Sequence, residues 1–456
     1  MNTKELVAAQ HAYFATNQTK PVSWRLAKLR ALHDSIQAHE SEILAALGAD
    51  LSKAPFEGYV SEVGMVLDEL SYAIKHVRSW ARPKCVRTAL TNFLGFSKIY
   101  SEPYGVVLIM APWNYPFLLS VDPIVGAIAA GNCFVVKPSA YAPATADIIK
   151  KIVDEVFEPE CGAVVLGGRA ENSALLEEKF DYIFFTGSTN VGRVVMEAAS
   201  RNLTPLSLEL GGKSPCIVDE TANIKLAARR IVWGKYLNAG QTCVAPDYVY
   251  VHESVKIELI IEMKKAIVEF YGEKPLDSPD LVRIVNEKHF ARLRGLVQHE
   301  APVFGGGFDE ATLKIEPSIY YCDSWDCPLM GEEIFGPLMP VLTFDSLNEV
   351  IAEVKKRNRP LALYLFTTSP VNENRIVSEI SYGGGCINDT IVHLASTTIP
   401  FGGVGASGMG GYHGKFSFET FSHRKSVLRK SNLIDVPLRY APYKKSRLDL
   451  IKRIMH

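Results

Sequence analysis

Cys243 stands in Asn238-Ala-Gly-Gln-Thr-Cys243-Val-Ala-Pro, just past a helix predicted to end at Asn238–Gly240. A loop cysteine between glycine and proline is placed for reaction more often than a core cysteine is. To act as a nucleophile it needs a local reason to ionise or a nearby base, since its ordinary pKa is about 8.5. Glu209, in Ser-Leu-Glu209-Leu-Gly-Gly-Lys, is the candidate base. A carboxylate wedged between leucines at a strand end is expected to be partly buried, and burial raises it towards useful base values. Asn114, in Ala-Pro-Trp-Asn-Tyr-Pro-Phe, is a fixed amide donor in an aromatic setting, as an oxyanion site requires. Taken singly, each has a bland reading: a structural cysteine, a surface glutamate, a turn asparagine.

A phosphate site is the second candidate. The apolar run from Tyr182 leads straight into Thr186-Gly187-Ser188-Thr189-Asn190-Val191-Gly192, and a helix continues through Val194–Ala199. Ser188 or Thr189 can cap that helix, and its free N–H groups and dipole favour an anion. An ordinary strand-to-helix turn is the alternative. Lys137 at a strand end before Pro138, and Glu333 in Glu-Glu-Ile-Phe-Gly-Pro, are the remaining polar points. Gly403, Gly405 and Gly408 spell G-x-G-x-x-G, but fewer than about 50 residues follow, too few for the βαβ unit that gives the fingerprint meaning. That segment reads as a flexible loop.

The elements around these residues alternate. Residues 1 to about 80 are predicted helical, and 82–103 read as an extended ribbon. Apolar, β-branched runs at Val106–Met110, Cys133–Lys137, Ala163–Leu166 and Tyr182–Phe185 are separated by helices. A second series begins at Cys216–Asp219 and includes Tyr248–His252, Pro340–Phe344, Leu363–Thr367 and Cys386–Asn388. Strands spaced this way and linked by helices mean βαβ units and parallel sheets. The fold class is therefore α/β, with two doubly wound α/β domains and a small bridging β-ribbon. The expected division is 1–81 with 104–210 as a dinucleotide-binding domain and 211–400 as a catalytic domain. Residues 82–103 and 401–456 are left as the bridging ribbon and C-terminal segment. The likeliest ligand cleft lies between the two domains, at the carboxyl ends of strands.

Composition narrows the classes of function. The 456 residues carry 49 Lys+Arg against 50 Asp+Glu, a formal charge of −1. That gives no electrostatic case for nucleic acid or an anionic membrane. Eight cysteines, with no C-x-x-C pair, argue against a disulfide scaffold, a zinc ribbon and a redox pair, and the seven besides Cys243 are expected at packing or surface positions; no metal is expected. The N-terminus has neither a secretory nor a transit pattern, and Pro116–Ala130 is too short and interrupted to span a bilayer. A cytoplasmic protein with no integral membrane segment is expected. The basic tail Lys444–His456 reads as solvated or partner-packed rather than as a membrane contact.

Six segments together resemble the aldehyde dehydrogenase superfamily: Pro112-Trp113-Asn114-Tyr115-Pro116, Lys137-Pro138-Ser139, Phe185 to Gly192, Glu209-Leu-Gly-Gly-Lys213, Gly240-Gln-Thr-Cys243 and Glu333-Ile-Phe-Gly-Pro337. They occur in the superfamily's order over almost the whole chain. Asn388–His393, Pro400–Gly405, Tyr412-His413-Gly414-Lys415 and Phe418–His423 are similar to its class 3 branch.

The resemblance implies oxidation of an aldehyde to the carboxylate with NAD or NADP, through a thiohemiacetal and a thioester on Cys243. It implies that Asn114 and the Cys243 N–H hold the oxyanion and that Glu209 activates the hydrolytic water, with Glu333 as rival base. Gly187 and Ser188 would lie by the pyrophosphate, Lys137 by the adenosine ribose, and Glu333 and Phe335 by the nicotinamide ribose. Gly192 and Trp113 complete the cofactor set. Tyr115, Trp233, Ile391 and Phe401 are the substrate-pocket candidates for a medium-chain aliphatic or aromatic aldehyde, although some could be core alone. Many members carry glutamate where this chain has Ala140, so dual cofactor use or a lean towards NADP is expected. Class 3 membership implies a homodimer. An acylating, coenzyme A-dependent relative would be expected to dispense with Glu209, and a non-catalytic member would not need all five polar residues.

Overall fold

Runs that are apolar at every position, such as Val106-Val-Leu-Ile-Met110 and Cys133-Phe-Val-Val-Lys137, cannot serve a sheet with one wet face. Both strands are buried throughout, as parallel strands covered by helices on both sides must be. The computed structural model describes residues 2–435 and 437–455. The side chain of Ile454, in the basic tail, also lies outside the described residues, as does His456.

The first sheet has six strands, in the order Gly408–Met409, Leu206–Glu209, Tyr182–Thr186, Val106–Met110, Cys133–Lys137, Gly162–Val164. All neighbours are parallel except the first pair. The second sheet has seven strands, centred on Tyr248–His252, Pro215–Val218 and Ala362–Phe366. The third is an antiparallel ribbon of Lys84–Val86, Gly95–Pro103 and Ser422–Lys430. The expected two sheets and ribbon are thus present. The last strand, Ser422–Lys430, pairs residue by residue with the whole of Gly95–Pro103.

Pro116–Ala130, too broken to span a membrane, contains the helix Leu118–Ala130, buried at every position. Among the described residues no helix is long and apolar enough to cross a membrane. The expected Lys444–His456 tail contains a helix, Lys445–Met455, with Leu448 and Leu450 exposed.

Three expectations need correction. The glycine-rich segment is not a free loop: Gly408–Met409 pairs antiparallel with Leu208–Glu209, and the Ser407 carbonyl accepts from the Leu210 N–H. Unpaired backbone groups at the sheet edge next to Glu209 are what it satisfies. It follows that 401–421 packs with the first sheet, and only 422–430 belongs to the ribbon. The seven other cysteines are not all packing or surface thiols either, since Cys322 and Cys327 form a disulfide. They stand five residues apart, outside the C-x-x-C spacing considered from sequence.

Candidate functional site

The helix Ile224–Tyr236 ends in a turn whose backbone enters the left-handed region at three successive residues: Asn238 (φ 52°), Ala239 (φ 50°) and Gly240 (φ 72°). At Gly240 a Cβ would strike the Gly336 carbonyl, so glycine is required for space as well as for conformation. This reversal leads directly into Cys243. Buried side chains lock it there. Asn238 Nδ2 donates to the carbonyls of Asn114 (2.7 Å) and Gln241 (3.1 Å), and Asn114 Nδ2 donates to Gln241 O (3.0 Å). Gln241 in turn accepts from Val285 N–H and donates to Asn238 O and Arg283 O. An amide nitrogen carries two hydrogens, so Asn114 keeps one after bonding Gln241.

Cys243 and Glu209 line one cavity of about 290 Å³. Its wall is almost wholly apolar, and it contains all four expected pocket residues, Tyr115, Trp233, Ile391 and Phe401. Tyr115 is pinned by a 2.6 Å contact between its hydroxyl and that of Thr242, the residue before Cys243. Strand register sets the base: Glu209 ends its strand with Thr186 beside it on one side and Gly408 on the other. Both carboxyl oxygens of Glu209 are buried without a hydrogen-bond partner.

Electrostatics follow from this burial. Burial pushes Glu209 well above the usual carboxylate range. Burial, then Asp247, raises Glu333 to about 8, against the opposing Gly212 N–H. Burial and the carboxylates of Glu333 and Glu209 push the Cys243 thiol up to about 12. At neutral pH Cys243 therefore rests as a thiol, and it needs a base when it attacks. A carboxyl raised to about 8, as Glu333 is, is suited to that task.

Of the residues expected at a dinucleotide, Glu333 lines a surface cavity together with Thr189, Gly211 and Lys213. Ser188 caps the helix Thr189–Arg201, accepting from Val191 N–H at 3.4 Å. Gly192 on that helix's first turn faces Leu210 so closely that a Cβ would lie 2.8 Å from it. Gly187 likewise leaves no room for a Cβ beside the Phe185 ring. The helix end thus offers open N–H groups to a phosphate. Lys137 ends its strand with Nζ donating to the carbonyls of Pro138 and Gly167. Glu333 packs against Gly211, where any side chain would collide with its carboxylate. Phe335, at φ 49°, sets its ring edge-on to Trp113 at 5.4 Å. Ala140 is exposed beyond Lys137.

Several residues of this region were given no site role from sequence. His289 packs on Trp113 with ring centroids 5.1 Å apart. Tyr412 is buried and lines the cavity with His413. Asn238 was visible only as a helix end, although its left-handed φ is one that asparagine tolerates better than most residues.

Comparison with known proteins agrees with this geometry. The model of the aldehyde dehydrogenase family matches residues 1–427. The chain is 50% identical over 435 residues to 4,4'-diaponeurosporen-aldehyde dehydrogenase of Staphylococcus aureus, covering 95% of each protein. It is 44% identical over 440 residues to the dimeric NADP-preferring aldehyde dehydrogenase of Canis lupus familiaris, covering 96% of this chain and 97% of that one. The solved substrate-bound state of Staphylococcus aureus AldH superposes with a TM-score of 0.97 at 48% identity, covering all of both chains. Family 3 members from plants and mammals are also among its relatives. The chain belongs to the aldehyde dehydrogenase family, and it is an NAD(P)-dependent enzyme that oxidises aldehydes to carboxylates.

Proposed function

We propose that Cys243 is the nucleophile, that Asn114 and the Cys243 N–H hold the oxyanion, and that Glu209 activates the hydrolytic water. The observation that supports this most is the apolar-walled cavity shared by Cys243 and Glu209. Cys243 Sγ adds to the aldehyde carbon as a buried carboxylate takes the thiol proton. The negative charge that develops on oxygen meets donors already fixed by the Asn238–Gln241 network, and it costs little reorganisation. A bound nicotinamide supplies the acceptor for the hydride whose loss turns the thiohemiacetal on Cys243 into a thioester. Glu209 then takes a proton from water, the hydroxide adds to the thioester, and the carboxylate leaves as Cys243 regains its proton. Glu333 is the rival base, since burial raises it to about 8.

The apolar wall favours medium-chain aliphatic or aromatic aldehydes, because a cavity of about 290 Å³ with few polar groups gains from burying carbon rather than from pairing charge. Lys137, Gly187, Ser188, Gly192, Glu333, Phe335 and Trp113 form the cofactor cleft in this reading. Ala140, with no carboxylate to repel a 2′-phosphate, supports dual use or a lean towards NADP. The domain division 1–81 with 104–210, then 211–400, is part of the same reading, with residues 401–421 now joined to the first domain. So are cytoplasmic residence and a homodimer joined through the ribbon, where Phe96, Val427 and Leu428 are exposed. A panel of aldehydes assayed with NAD and with NADP tests the substrate range. Cys243→Ala is expected to abolish aldehyde-dependent NAD(P)H formation, and retained activity would sink the mechanism.

A further inference from the structure

Behind the His413 wall of the cavity lie two carboxylates that the aldehyde chemistry does not use. Glu69 comes from the helix Gly64–Trp80 and Asp122 from the helix Leu118–Ala130. His413 immediately precedes Gly414 and the helix Lys415–Thr420. Their exposures are 2%, 1% and 5%. One ligating atom from each lies within 4.8 Å of the others.

The polar groups here are under-satisfied. Gly414 N–H donates to Glu69 Oε1 at 2.6 Å, but Glu69 Oε2 and both oxygens of Asp122 are buried with no hydrogen-bond partner. His413 Nδ1 approaches Asp122 Oδ2 at 3.3 Å and Glu69 Oε2 at 3.9 Å. Among the described residues no lysine or arginine forms an ion pair with either carboxylate. A void of about 10 Å³ adjoins all three side chains and reaches Asp68, which is exposed. That is room for a single water or ion. Buried carboxylate oxygens are normally paired or bound to a metal, because leaving them bare costs several kcal/mol each by order of magnitude.

We infer that Glu69, Asp122 and His413 form a binding site for one divalent cation of the first transition row. Two carboxylates and an imidazole suit Mn²⁺, Fe²⁺ or Zn²⁺ better than Mg²⁺ or Ca²⁺, which prefer oxygen alone. A bond length of about 2.0–2.2 Å needs only small side-chain closure from the present separation. The cation would clamp three elements distant in sequence and hold the segment bearing Tyr412 against the cavity. It takes no part in the chemistry at Cys243. The competing account is that a proton neutralises Glu69, whose carboxyl burial and Asp122 push up to about 9.

The full-length chain, stripped with a chelator, is titrated with Mn²⁺ and followed by electron paramagnetic resonance. Mn²⁺ is a hard cation that avoids the thiol of Cys243. One Mn²⁺ per chain is expected, together with a higher melting temperature in saturating Mn²⁺. Glu69→Gln and Asp122→Asn keep the side-chain shapes and are each expected to weaken binding at least tenfold. Absence of stoichiometric binding to the stripped wild-type chain overturns the proposal, whatever the variants do. So does unchanged affinity in both variants.

Discussion

Asn238 Nδ2 donates to the backbone carbonyl of Asn114 across 2.7 Å, tying the turn that precedes Cys243 to the segment that bears Asn114. Asn238→Gly keeps the left-handed turn but leaves the carbonyls of Asn114 and Gln241 facing an unfilled space. We expect kcat to fall about 10–100-fold with KM little changed, because Asn114 loses its position rather than its chemistry. Steady-state kinetics on a substrate with slow chemistry checks it; an equal rise in KM with kcat intact would contradict a positioning role.

Glu209→Gln separates the two halves of the reaction. One turnover of NAD(P)H should form per site, and steady-state turnover should then drop about 10²–10⁴-fold, the usual scale for losing a general base. Mass spectrometry of the quenched enzyme is expected to find acyl groups on Cys243. A steady state close to wild type would transfer the role to Glu333.

The pH profile distinguishes the same pair. A base works only when ionised, so a Glu333 raised to about 8 predicts activity that climbs as pH rises through that value. Glu333→Gln should remove this limb if Glu333 is the base. It should leave the limb in place if Glu209, or Cys243, governs the profile.

Ala140→Glu restores a carboxylate beside the expected ribose position. The ratio of kcat/KM for NAD over NADP is expected to rise about tenfold or more, since the added charge repels a 2′-phosphate and accepts from a 2′-hydroxyl. A strong NAD preference in the wild-type enzyme would contradict the NADP lean.

Lys53 and Glu62 form a fully buried ion pair at 2.6 Å, and Glu62 Oε2 also accepts from Phe117 and Leu118 N–H. Lys53 Nζ sits over the Tyr115 ring, 4.4 Å from its centroid. Lys53→Met leaves Glu62 without its buried partner and should cost about 3–5 kcal/mol in chemical denaturation. Lys53→Met with Glu62→Gln should recover part of that loss.

Sequence alone carried far in this protein wherever a motif is local. Strand runs such as Cys133–Lys137 announce themselves because a parallel strand is apolar at every position, and Ser188 or Thr189 is readable as a cap. Cys243, Glu209 and Asn114 stand in short segments whose neighbours limit what they can do. No helix or strand is legible in sequence between 272 and 339, although that stretch holds the helix Glu287–Leu296 and the strand Ser318–Tyr321; polar residues interrupt both patterns, and packing decided them.

What only the tertiary structure decided are the relationships between residues far apart in sequence. Burial of Glu209 was a guess from two leucines; its unpartnered oxygens depend on a cavity closed by Phe401 and Tyr412. The glycine-rich segment, without a βαβ unit of its own, became an edge strand because Leu208–Glu209 left that edge unpaired. Glu69, Asp122 and His413 show no spacing that sequence could recognise, yet three separate elements bring them within 4.8 Å. Residue type and local period fix which chemistry is available. Desolvation and distance, which set its strength, exist only once the chain has folded.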